Sequence, residues 1–93
     1  MAQALEMMKI LSHPLRLSLL CRLIEEGEMS AGELVEAESD KASQSQISQY
    51  LGQLRDRGVV TARKDGHFVY YQISDPRTKA LIAALHDLYC PEG

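Results

Sequence analysis

Residues 43–73 read SQSQISQYLGQLRDRGVVTARKDGHFVYYQI, and this stretch decides the fold. Ser43 and Gln46 make the pattern S-x-x-Q, in which a hydroxyl and an amide each satisfy a free backbone N–H at a helix start. Ile47, Leu51 and Leu54 then fall on one helical face, and Gly58 supplies the stop. Val59 to Lys64 and His67 to Ile73 follow, two runs rich in Val, Thr, Phe and Tyr separated by Asp65-Gly66. An Asp-Gly pair between such runs is a strong hairpin signal, because the tight primed turns need positive φ.

Upstream, Ser30-Ala31-Gly32-Glu33 fits the capping box S-x-x-E and opens a short helix carrying Leu34 and Val35. Before it, Ser12 stands as the cap of a helix in which Pro14 is tolerated in the first turn. Leu15, Leu19 and Leu23 recur there at four-residue spacing, with Leu20 and Ile24 beside them, and Gly27 ends the run. A further helix is expected at the N-terminus through Leu5, Met8 and Leu11. Downstream, Asp75-Pro76 reads as cap and first residue of a last helix. Leu81, Leu85 and Leu88 form one of its stripes and Ile82 and Tyr89 the next. The expected fold is mainly α with a small antiparallel β-hairpin, in the order helix-helix-helix-helix-strand-strand-helix. That is a winged helix-turn-helix, a DNA-reading architecture.

The 93 residues, read as a single domain over 1–93, are few enough that only about 60–65% of the unfolded surface is buried on folding, which makes self-association a reasonable prior. The net charge of -3 argues at first against a nucleic-acid partner, but its distribution reverses that. Residues 24–40 hold seven acidic side chains and no basic one, whereas Lys41 to Lys79 hold seven basic residues against three acidic ones, a local balance of +4. A phosphate backbone responds to the local face more than to the total. No run approaches the roughly 18 apolar residues of a membrane span, and no signal-peptide pattern opens the chain, so a cytoplasmic location is expected. In that reducing compartment Cys21 and Cys90 are not assumed to form a structural disulfide.

With Ile47 at the centre of the buried face, Ser45, Gln46 and Gln49 point outward and Ser48 lies at the margin. Such uncharged donors and acceptors suit base edges and phosphates, and glutamine pairs with adenine through two hydrogen bonds. Gln44, in the first turn, joins them. Arg63, Lys64 and His67 bracket the hairpin tip, where a wing straddles the backbone. Serine and glutamine also populate solvated helix faces, and that alternative stays open on the helix alone.

These segments resemble the ArsR/SmtB family of bacterial winged-helix repressors. The likeness runs through Met8-Lys9-Ile10-Leu11-Ser12-His13-Pro14-Leu15-Arg16-Leu17, Ser30-Ala31-Gly32-Glu33-Leu34, Ser43 to Leu51, Leu54 to Val60 and Gly66-His67-Phe68-Val69-Tyr70-Tyr71. The resemblance implies a homodimer joined through the first and last helices. Its two recognition helices would sit about 34 Å apart on an inverted-repeat operator of double-stranded DNA. The stripes of the last helix fit that interface or an intramolecular core. Tyr50 stands where the family commonly has histidine, and its phenol is expected to reach a phosphate.

The family divides by inducer. The segment Met29 to Val35 lacks the Cys-x-Cys box of arsenite sensors, and His86 and Asp87 are too few to close a tetrahedral metal site on the last helix. Cys21 and Cys90 instead resemble the dithiol of the SqrR/BigR/HlyU-type persulfide-sensing group. This implies release from DNA when reactive sulfur species or another oxidant join the two sulfurs through a disulfide or polysulfide bridge. Arg22 or Arg16 is placed to lower a thiol pKa. Read without the resemblance, Cys21 is equally a small buried hydrophobe. The rival functions are a repressor responding to a thiophilic metal or metalloid through the same thiols, and a winged-helix protein-interaction module without DNA binding. No nucleophile-base pair, phosphate loop or carboxylate pair suggests an enzyme, and no cofactor is implied.

Overall fold

The computed structural model describes Lys9 and residues 12–89, apart from the side chains of Leu85, His86, Leu88 and Tyr89. The helix expected through Leu5, Met8 and Leu11, and Cys90, lie outside the described residues. Helix α1 spans Pro14–Glu26, strand β1 Met29–Ser30, helix α2 Ala31–Ala37 and helix α3 Gln44–Asp56. Strands β2 (Val60–Asp65) and β3 (Phe68–Ile73) precede helix α4, Pro76–Tyr89.

The start of α1 departs from expectation. Its N-cap is His13, without a side-chain capping bond, and the Ser12 hydroxyl donates to the Lys9 carbonyl at 2.7 Å. Pro14 is the cause: as first helical residue it makes its immediate predecessor the cap, one position after Ser12. At the other end Gly27, at φ 85°, donates its N–H to the Leu23 carbonyl. Both capping boxes form, Ser30 with Glu33 and Ser43 with Gln46. Asp75 Oδ1 accepts from the Arg77 N–H at 2.7 Å, as its place before Pro76 suggested.

The sheet holds one strand more than the sequence suggested. β1 pairs antiparallel with β3, Met29 opposite Tyr71 and Ser30 opposite Tyr70, giving the order β1-β3-β2. Two residues are too few to show an alternating pattern, so periodicity had no means of finding β1. The hairpin turn is also displaced by one residue. Asp65 pairs with Phe68, leaving Gly66-His67 as the loop. Gly66 has φ 63° and no non-glycine residue among those described has positive φ. A type I′ turn on Asp65-Gly66 would force positive φ on aspartate, whereas glycine in first place gives the II′ pattern at no steric cost.

Leu19, Leu20 and Leu23 of α1 meet Leu34 of α2, Ile47, Leu51 and Leu54 of α3, Tyr71 of β3 and Ile82 of α4 in one buried cluster. Each large aliphatic truncation there costs about 2–5 kcal/mol. This core fixes α3 against α1 and α2 while leaving its opposite face free. On α4, Ile82 is fully buried and its neighbour Leu81 is 44% exposed, so these two positions fall on a core face and an open one.

Candidate nucleic-acid interface and cysteine site

Gln44, Ser45, Gln46, Ser48 and Gln49 are all exposed on α3. Ser45 and Gln49 lie opposite the buried Ile47, Leu51 and Leu54, Gln46 and Ser48 at the two margins, and Gln44 in the first turn on the side of the buried stripe. They are not equally free. Gln46 Oε1 accepts from the Ser43 N–H at 3.1 Å, and the Gln46 N–H donates to Ser43 Oγ at 3.2 Å. The Gln46 amide is thus partly spent on capping the helix start. Tyr50 is half-buried and turned toward the start of α1. Its hydroxyl lies 3.0 Å from His13 Nε2, and the Arg16 guanidinium sits over its ring at 5.5 Å. The phenol expected at a phosphate is therefore engaged inside the molecule.

The wing separates its two adjacent cations. Alternation along β2 puts Arg63 on one face and Lys64 on the other. Arg63 donates to Glu28 at 3.0 and 3.3 Å, lies 3.6 Å from Asp65 and covers the Tyr70 ring at 4.8 Å. The hydrogen bond from Arg63 holds the Glu28 carboxyl below its ordinary pKa. Lys64, His67 and Phe68 are exposed at the tip.

Glu38 belongs to the acidic run at residues 24–40, yet it is fully buried. Its carboxylate accepts from Ser18 Oγ at 2.6 Å and from Arg22 Nε at 2.8 Å, with Lys41 Nζ 3.6 Å away. Lys41 also donates to Ser18 Oγ at 3.2 Å. The hydrogen bond to Glu38 raises the Arg22 pKa, so this guanidinium, expected beside a thiol, is committed to a carboxylate. His13, Ser18, Glu38 and Lys41 were not singled out as site residues, and Arg16 only as a neighbour of a thiol. The one usable sign was Lys41, the first cation after the acidic block.

Cys21 is buried at 5% exposure on α1, among the buried hydrophobic residues of the core. Helix α1 packs against α4, whose last residue, Tyr89, directly precedes Cys90. Among the described residues, no group of three or more His, Cys, Asp or Glu side chains is placed to hold a metal ion. Nor is any described helix long and apolar enough to cross a membrane.

Residues 13–62 match the family described as bacterial regulatory protein, arsR family. The chain belongs to the ArsR family. Over 89 residues the ArsR-family chain is 38% identical to the HTH-type transcriptional regulator YgaV of Escherichia coli, covering 96% of this chain and 88% of that one. The structure of HlyU from Vibrio cholerae superposes with a TM-score of 0.87 at 40% identity, covering 96% of this chain and 94% of the other. The transcriptional repressor BigR from Xylella fastidiosa gives 0.83 at 36% identity, covering 96% and 88%. The ArsR-family chain is accordingly a winged-helix transcriptional regulator and not an enzyme. The names of its relatives span both signs of control, since HlyU is called a transcriptional activator and BigR a repressor.

Proposed function

We propose that this regulator is a cytoplasmic homodimeric repressor that binds an inverted-repeat operator and leaves it when Cys21 and Cys90 become linked by reactive sulfur species. The observation that carries the DNA part is the exposed, uncharged face of α3, opposite the buried Ile47-Leu51-Leu54 stripe. Gln44, Ser45, Ser48 and Gln49 read or border the bases, Gln46 chiefly holds the helix start, and Tyr50 acts through its contact with His13. Lys64 and His67 meet phosphates from the wing, and Arg63 joins them when it leaves Glu28. The exposed Leu81 of α4 supports pairing of two copies through that helix.

Three features support the sulfur part: the place of Cys21 on α1, the packing of α1 on α4, whose last residue precedes Cys90, and the likeness to BigR and HlyU. One cysteine thiolate takes the outer sulfur of a persulfide R–S–SH, releasing R–S⁻. The second thiolate then attacks the inner sulfur of that cysteine persulfide, closes the disulfide and expels HS⁻. Two thiolates are oxidised, and the sulfane sulfur accepts the two electrons. Closure needs the two Cα atoms within about 7 Å, so it constrains α1 against the end of α4 and with them the dimer geometry that sets the recognition helices.

The test is mobility shift on a duplex selected from a random library by the reduced protein, repeated after glutathione persulfide treatment, with peptide mass spectrometry of the treated sample. The expected result is a salt-sensitive preference for the selected duplex, a Cys21–Cys90 linked peptide lacking two hydrogens, and loss of the shift. Cys21→Ser or Cys90→Ser should keep DNA bound after treatment. Absence of preference over random duplex removes the repressor reading. Unlinked cysteines, or release unchanged in Cys21→Ser, remove the sulfur switch.

A further inference from the structure

A cleft of about 480 Å³ opens between the start of α1 and the first turns of α3, lined by His13, Ser18, Lys41, Gln46 and Tyr50 among others. We propose that this cleft is a docking site for a phosphodiester of the DNA backbone, with the Lys41 ammonium as its principal ligand. The proposal rests on the operator-binding reading above and gives it a contact lying off the base-reading face of α3 and away from the wing.

The placement of Lys41 carries the argument. A lysine head is ordinarily a mobile point charge on a flexible stem. Here the buried Glu38 accepts from Ser18 at 2.6 Å, and Ser18 in turn accepts from Lys41 Nζ at 3.2 Å, while Nζ stays 3.6 Å from the carboxylate. An ammonium has three donors, so a hydrogen remains for a ligand after these two interactions. The Lys41 side chain is still 50% exposed, which leaves it reachable.

The surrounding charge favours an anion. Lys41 lines the cleft and Arg16 sits over the Tyr50 ring at its edge, while Arg22 lies among Glu38, Glu25 and Asp40 and already satisfies much of Glu38 through its 2.8 Å bond. His13 Nδ1 and Arg16 Nε are both buried without a hydrogen-bond partner among the described residues, so the polar groups at this end of α1 are not fully satisfied within the chain. The cleft shares Gln46 and Tyr50 with α3, so its occupant lies beside the helix proposed to enter the groove. Phosphates flank a groove-inserted helix and fix its register. A phosphate held there would position α3 without reading sequence.

The experiment measures the salt dependence of binding to the selected duplex and to a random duplex of equal length for the wild type, Lys41→Gln, Lys41→Arg and Lys79→Gln. Each phosphate neutralised contributes a slope of about 0.9, or roughly eightfold in affinity at 0.1 M salt. Lys41→Gln should lower the slope by about 0.9 per bound protomer on both duplexes, with Lys41→Arg retaining most of it and Lys79→Gln unchanged. Circular dichroism melting confirms that the variants are folded, and Ser18→Ala, which frees Lys41 from its tether, should weaken binding with a smaller change in slope. An unchanged slope in a folded Lys41→Gln protein overturns the proposal. If the wild type still discriminates the selected duplex, the repressor reading survives that failure. Saturable, Lys41-dependent binding of inorganic phosphate alone at matched ionic strength would overturn the DNA-backbone assignment in favour of a free anion.

Discussion

The Tyr50 phenol and the His13 imidazole meet at a tilt across the gap between α3 and the start of α1. Their polar atoms are 3.0 Å apart, and their ring centroids 4.7 Å apart at 49°. This contact ties α3 to the residue that caps α1, and α1 also carries Cys21. Tyr50→Phe keeps the ring and removes the hydrogen bond, leaving His13 Nε2 without this partner. The expected loss is about 1 kcal/mol, or roughly 4–8 °C in melting temperature for a chain of this size. Urea denaturation checks it, and an unchanged midpoint would mean that ring packing alone holds the contact.

The Glu38 cluster should respond asymmetrically to the loss of its partners. Arg22 is 38% exposed and Lys41 50%, whereas the Glu38 side chain is fully buried. Arg22→Met therefore leaves a buried carboxylate with only Lys41 and Ser18, and a loss of about 3 kcal/mol is expected. Glu38→Gln leaves two cations that reach water and should cost less, about 1–2 kcal/mol. Equal losses in chemical denaturation would show that the carboxylate is hydrated after all.

Residues with regular spacing were legible, and those whose role depends on a distant partner were not. Ile47, Leu51 and Leu54 announced the buried face of α3, and both capping boxes formed as their sequences require. Ser12 was misread because the position of Pro14, not residue preference, determines the cap. The hairpin turn moved by one residue because a dipeptide signal does not say which residue must take positive φ. Glu38 carried no sign of burial, since its partners Ser18 and Arg22 lie 20 and 16 positions away. The engagement of Tyr50 with His13, across 37 positions, was hidden for the same reason.

Gln46 and Gln49 look alike in sequence but should fail differently. Gln46 closes the capping box with Ser43, so Gln46→Ala should lower stability by about 0.5–1 kcal/mol, and Gln46→Glu, which preserves the box, should restore it. Gln49 is exposed, and Gln49→Ala should leave stability within about 0.5 kcal/mol. It should relax discrimination at one base pair by about 1–3 kcal/mol. Melting curves and binding to single-base variants of the selected duplex separate the two. Equal loss of base discrimination in both variants would contradict the division.

The Glu28 titration should depend on Arg63. The hydrogen bond between them lowers the folded pKa below the ordinary carboxylate value of 4.5, so the unfolded chain takes up the proton first as pH falls. The pair's contribution to stability is full above that value and disappears as pH drops through the depressed one. Carbon-detected NMR of the Glu28 carboxyl should show its midpoint rising in Arg63→Gln. A midpoint shared by the two proteins would mean that the pair does not persist in solution.

The same pair bears on how the wing meets DNA. Arg63 bound to Glu28 and near Asp65 is largely neutralised, which leaves Lys64 and His67 as the less encumbered basic groups at the tip. Glu28→Gln frees Arg63 for a phosphate and should steepen the salt dependence of binding by up to about 0.9 per protomer. Removing any acidic charge raises affinity somewhat through the long-range field, so Glu36→Gln, an exposed carboxylate on α2, is the matched control. The pair acts as a brake on nonspecific attraction only if Glu28→Gln exceeds that control on random duplex. Matching slopes for the two variants would reduce Glu28 to one more charge in the acidic block.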